Sequence, residues 1–135
     1  MGSLAEDLRR RLKQVLCDME QAIVEMMARK ASLAGRERRL SAELTQDRRL
    51  ADKWLVRVAK ALEVGDAELA HEASLHKDAY EKSAAGLKEE IHAARNSLLC
   101  LAGQIEVLKA KAVRGRRLLV TLTRKPGPAS PEDCG

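Results

Sequence analysis

The histidines are the first residues in this chain that could hold a metal ion or transfer a proton. They are His71, His76 and His92. His71 and His76 lie outside the i, i+3 and i, i+4 spacings that place two ligands on one helix face. The sequence contains no HExxH motif, which is the helical arrangement of two histidines that binds zinc. The spacing therefore predicts ordinary surface or seam histidines, with no metal and no cofactor.

The cysteines are Cys17, Cys100 and Cys134, and none lies at a Cys-x-x-Cys spacing. An odd number of well-separated cysteines favours a reducing compartment over a disulfide framework or a zinc site. Glu6 and Asp7 interrupt the place where a signal peptide would have its apolar core, and no apolar run approaches the ~20 residues of a membrane span. We expect a cytoplasmic protein, either free or peripheral on the inner face of the membrane.

The carboxylates could act as acid–base catalysts only if a pocket shifted their pKa values. The two acidic groups, Glu89–Glu90 and Glu63/Asp66/Glu68, fall in helical patterns that offer no such pocket. No phosphate-binding glycine loop follows a strand pattern. The sequence therefore predicts no catalytic residues, and we expect that the protein is not an enzyme.

The chain has a net charge of +5, and its cations cluster near both ends of the sequence. These clusters indicate a function more clearly than the histidines, cysteines or carboxylates do. They are Arg9, Arg10, Arg11, Lys13, Arg114, Arg116, Arg117, Arg124 and Lys125. One interpretation is helix-dipole matching and solubility. Another is contact with anionic lipid or head-to-tail contact with the acidic middle of a second copy. Nucleic acid is disfavoured, because no aromatic stacking platform accompanies the charge.

The elements that position these residues follow from composition and period. The chain has no phenylalanine, one tryptophan and one tyrosine, a third of its residues are charged, and its only prolines lie at 126, 128 and 131. Apolar residues recur from Leu8 to Leu62 at about the 3.6-residue period of an α-helix. From Leu87 onward they follow a 4,3,4,3 heptad seam, which buries itself against another helix.

Gly65 and Asp66 mark the turn, because glycine readily ends a helix and aspartate caps the next one. We predict an all-α, antiparallel two-helix coiled-coil hairpin over residues 1–125, with helices at 4–63 and 66–124, a turn at 64–66, and a disordered tail at 126–135. Positions whose numbers sum to about 130 should then face each other. The expected layers include Leu62 with Leu69, Leu55 with His76, Leu40 with Ile91 and Leu8 with Leu122, with Asp47 opposite Ser83 as a polar layer. Leu16 is expected to lie off the seam.

The stretch from Trp54 to Lys77 resembles the signature of the phage shock protein A family, which includes the vesicle-inducing protein of plastids. The matching residues are Trp54, Ala61, Leu62, Gly65, Asp66, Leu69, Ala70, Glu72, Ala73 and Lys77. Ser74 replaces a leucine of the pattern, and His71 and His76 replace basic residues.

The resemblance implies a hairpin of the bacterial ESCRT-III superfamily that self-assembles, as a homo- or hetero-oligomer, and maintains or remodels membranes under stress at the cytoplasmic membrane face. The opening Met-Gly-Ser-Leu-Ala-Glu-Asp differs from the amphipathic helix and Asp-Pro with which family members begin, so we expect a short form. The alternative is a soluble regulator that pairs with a full-length relative or an AAA+ transcription activator.

Overall fold

The computed structural model describes residues 3–124 and contains two helices, α1 at Leu4–Glu63 and α2 at Ala67–Thr123. No strand occurs among these residues. The two helices pack against each other, so the predicted all-α hairpin is confirmed. The tail predicted at 126–135 lies outside the described residues.

The turn between the helices is built from Gly65 and Asp66. Gly65 has φ 74°, and its N–H donates to the carbonyl of Leu62, while the N–H of Asp66 donates to the carbonyl of Ala61. This pair of bonds is the Schellman arrangement, which satisfies the last carbonyls of a helix. The Oδ1 of Asp66 then accepts the N–H of Leu69 at 3.1 Å. Asp66 therefore helps to end α1 and caps α2.

The chain divides into two compact units, which are described separately. Unit 2 spans Ala31–Leu99 and contains the turn. Its core is an aliphatic cluster of four buried residues with Leu87 packed against it: Leu40, Leu44, Ala84 and Ile91. The Ser83 hydroxyl donates to Asp47 at 2.5 Å, which is the predicted polar layer. About three helical turns further from the turn, Arg95 donates to Glu37 at 2.6 Å.

Unit 1 combines Met1–Lys30 with Cys100–Gly135. Its buried residues are Leu16, Leu101, Ile105 and Ala112. The helices approach closely at Gly115, where an added Cβ would lie 2.7 Å from Cδ2 of Leu16. Leu16 is only 5% exposed, so its predicted position off the seam is wrong. Because Gly115 has no side chain, Leu16 fits against the backbone of α2, and the neighbouring Val15 is left exposed.

The seam also differs from the prediction near the turn. The expected contacts of Leu55, Leu62 and Leu69 are wrong, because all three side chains are at least half exposed. Small residues take their place in the interface: Ala61, Ala70 and Ala73 are buried. Alanine lets two helix backbones approach closely, and the side chains one position away then point outward. Leu8 is likewise half exposed and does not form a buried layer. Along α2 the heptad seam from Leu87 to Leu122 is confirmed, since every position in it is buried or half-buried.

Candidate interaction surfaces

Three of the predicted cations in unit 1 are engaged within the hairpin. Arg9 donates to the carbonyl of Leu122 at 3.1 Å. Arg116 donates to Oε1 of Glu20 through Nε and Nη2, at 3.2 and 2.6 Å, and Arg10 pairs with Asp7 at 3.2 Å in the same helix. Arg9 and Arg116 therefore tie α1 to α2. Glu20 offsets the charge of Arg116, and the bond to Leu122 holds the guanidinium of Arg9 at the seam, so both are poorer candidates for an outside ligand.

The remaining described cations of this set are exposed and form no ion pair within residues 3–124: Arg11, Lys13, Arg114, Arg117 and Arg124. Lys125 lies outside the described residues. Some of the predicted cations that the structure describes therefore bond within the hairpin, and the others remain accessible. The sequence could not make that division, because it depends on which arginine faces a partner across the seam.

The last turns of α2 present the accessible cations beside apolar residues. Positions 113, 117, 120 and 124 follow the i, i+4, i+7, i+11 spacing that places residues on one helix face. They are Val113, Arg117, Val120 and Arg124, and all four are exposed. We call these residues the α2 face. A row of cations and aliphatic side chains suits a surface with anionic groups above an apolar interior.

A second surface lies in unit 2, beside the turn. It is an open cavity of about 500 Å³, which we call the turn groove. Ala61 and Ala73 lie in its buried part, and Val64 and Leu69 are exposed along its wall. The charged residues that line it are Arg57, Lys60 and Glu72.

Trp54 and His76 line the turn groove and stack on each other across the two helices. Their rings stack with centroids 4.2 Å apart and an interplanar angle of 18°. The guanidinium carbon of Arg57 lies 4.4 Å from the centroid of the Trp54 ring, a cation–π distance. Sequence reasoning missed this trio as a unit. The register signal was available, since 54 and 76 sum to 130, but the prediction paired His76 with Leu55.

Eight of the ten signature residues fall into three structural roles. Gly65 and Asp66 make the turn, and Ala61, Ala70 and Ala73 make the close helix contact. Trp54, Leu69 and Glu72 line the turn groove. Leu62 is exposed, and Lys77 pairs with Asp78 and Glu81 at 3.5 Å on its own helix. The pattern therefore describes a turn, a tight contact and a groove that lie next to one another.

No group of three or more histidine, cysteine or acidic side chains converges within the described residues. The turn, the alanine contact and the Trp54 groove instead coincide with a known family pattern. Residues 1–121 match the PspA/IM30 family. The chain belongs to this family.

Two curated relatives are named for membranes. The membrane-associated protein Vipp1 of Synechocystis sp. is 31% identical over 109 residues, which cover 81% of this chain and 41% of that protein. The chloroplastic membrane-associated protein VIPP1 of Oryza sativa subsp. japonica is 26% identical over 117 residues, covering 87% of this chain and 37% of the relative. The chain therefore spans about two fifths of the length of these relatives. Neither described helix is long and apolar enough to cross a membrane.

Proposed function

We propose that this protein is a non-enzymatic assembly protein that self-associates at the cytoplasmic face of an anionic membrane and helps to maintain that membrane under stress. Family membership supports the proposal, together with the two relatives that are named as membrane-associated. Within the chain, the observation that carries it is the α2 face, where exposed cations alternate with exposed valines.

The α2 face suits a lipid surface for two physical reasons. Each Arg or Lys near an anionic bilayer contributes about 1 kcal/mol of attraction, and Arg117 and Arg124 are exposed without an ion pair among the described residues. Val113 and Val120 can enter the boundary between headgroups and acyl chains. Arginine also places its aliphatic stem along apolar groups while its guanidinium remains near phosphate. The proposed contact is therefore peripheral and sensitive to salt.

Self-association has its own support in unit 1. A shallow cavity of about 480 Å³ lies along this unit, lined in part by Val24 and Val113. Val24 is exposed there. A two-helix hairpin buries only one seam, so further apolar side chains remain available for a neighbouring copy.

Assembly on vesicles tests this function. We expect the purified chain to co-sediment with phosphatidylglycerol-containing vesicles and to form regular assemblies on them in electron micrographs. Phosphatidylcholine vesicles should bind it much more weakly, and raising the salt concentration should release it from the anionic vesicles. A chain that stays monomeric and ignores both lipids would contradict the proposal and favour the soluble regulator.

A further inference from the structure

The turn groove of unit 2 leaves apolar surface uncovered beside the buried alanine contact. Val64 is 77% exposed and Leu69 is 50% exposed on its wall, while Ala61 and Ala73 in the groove are each only 2% exposed. The cavity of about 500 Å³ can hold several aliphatic side chains. A groove of this shape suits protruding leucines on a helix.

The charges around the groove are divided by helix. Arg57 and Lys60 lie on α1, and Glu72 lies on α2. Glu68, in the first turn of α2, adds a second carboxylate on that side. A complementary partner would therefore carry acidic and basic groups close together, beside an apolar ridge.

The first turns of α1 have this combination of groups. Leu4 is 84% exposed and Leu8 is 50% exposed, and their i, i+4 spacing places them on one helix face. Asp7, three residues after Leu4, and Arg11, three residues after Leu8, flank the leucines on that face. We call Leu4 and Leu8 the α1 ridge.

We propose that the α1 ridge of one copy fills the turn groove of the next copy. Asp7, beside the ridge, then faces Arg57 and Lys60, while Arg11 faces the carboxylates of Glu68 and Glu72. The proposal rests on the self-association proposed above and identifies one of its contacts. Because ridge and groove are different surfaces, the contact is heterologous, and each copy can bind one neighbour at each surface.

A complementation experiment tests this contact in solution, without lipid. Leu69→Asp blocks the groove and Leu8→Asp blocks the ridge. Both residues are half exposed, so the fold should tolerate the change. We expect each variant alone to lose self-association by about tenfold or more in Kd, as removal of a central apolar contact does. Mixing the two should restore one intact contact and give a 1:1 complex that does not grow, as measured by sedimentation velocity.

Two matched variants serve as controls. Leu62→Asp changes an exposed leucine at the same turn that does not line the groove, and Val107→Asp changes an exposed residue of unit 1. Both should associate as the wild type does. A tip-to-tip contact would leave Leu8→Asp unaffected and would overturn the proposal. A monomeric wild type, or a mixture that gives no 1:1 complex, would also overturn it.

Vesicle binding separates this inference from the proposed function. If Leu69→Asp and Leu8→Asp associate normally in solution and the wild type still assembles on anionic vesicles, the groove contact is wrong and the function stands. If the wild type forms the contact but neither binds nor assembles on vesicles, the function is wrong and the contact stands.

Discussion

Ile91→Asp should destabilise the hairpin by about 3–5 kcal/mol, because it places a carboxylate in an apolar interface without a partner. Ile91 is 5% exposed and packs in the cluster formed by Leu40, Leu44 and Ala84. No charged side chain is buried among the described residues. The free energy of unfolding, measured by urea titration with far-UV circular dichroism, should fall by this amount. For a two-helix protein of ordinary marginal stability, that is a large part of the total.

Leu99→Asp is the control for this experiment, because it introduces the same carboxylate on the same helix. Leu99 is 73% exposed, so its substitution should change stability by no more than about 0.5 kcal/mol. Equal stability of the Ile91 variant and the wild type would show that the cluster is not buried in solution.

Reversing two charges on the α2 face should almost abolish binding to anionic vesicles. Arg117→Glu with Arg124→Glu removes two attractions and adds two repulsions. At about 1 kcal/mol each, this amounts to roughly 4 kcal/mol, or about a thousandfold in the vesicle dissociation constant. Because glutamate near a helix C-terminus is slightly unfavourable, circular dichroism should confirm that the variant is folded. Co-sedimentation over a range of lipid concentrations measures the effect.

The matched control is Arg48→Glu with Arg49→Glu, which changes the net charge equally on an exposed part of unit 2. It should retain most of the binding. If both double variants lose the same affinity, binding follows overall charge and the α2 face has no special role. A third variant, Arg117→Lys with Arg124→Lys, should bind nearly as the wild type does, because the charge is kept.

The hydrophobic pattern was sufficient to predict the fold class and the register. The Asp47–Ser83 hydrogen bond and the stacking of Trp54 on His76 both join positions that sum to 130. The pairing register of the two helices follows from the position of the turn and from the similar helix lengths. Both can be recognised in the sequence. Gly65 ends a helix and Asp66 begins one, because few other residues can take those positions without cost.

The sequence was not sufficient to predict which of two neighbouring residues enters the seam. Ala61 and Leu62 are adjacent, and the hydrophobic pattern favours Leu62 for the seam because its side chain is larger. In the structure, however, Leu62 is exposed. Only small residues fit where two helices lie close together. The distance between the helices depends on the residues of both. The same reason explains Leu16, which is buried because Gly115 lies opposite it.

The candidate surfaces were predictable only as sets of residues. Clustering of arginines near both ends of the sequence pointed to a basic surface in unit 1. It could not show that Arg9 would bond to the carbonyl of Leu122 or that Arg116 would pair with Glu20. The turn groove was not predicted, because it depends on the leucines beside the alanine contact pointing outward.

Disulfide trapping across the polar layer tests the pairing of the two helices most directly. In a chain with Cys17, Cys100 and Cys134 changed to serine, Asp47→Cys with Ser83→Cys should form an intramolecular disulfide under mild oxidation, independent of protein concentration. Ser83 Oγ and Asp47 Oδ2 are 2.5 Å apart, so the two positions face each other across the seam, and two thiols there can meet after a small adjustment of the helices. Asp47→Cys with Glu90→Cys, displaced by two helical turns, should not. Equal cross-linking of both pairs, or cross-linking only between chains, would contradict the antiparallel register on which the turn groove depends.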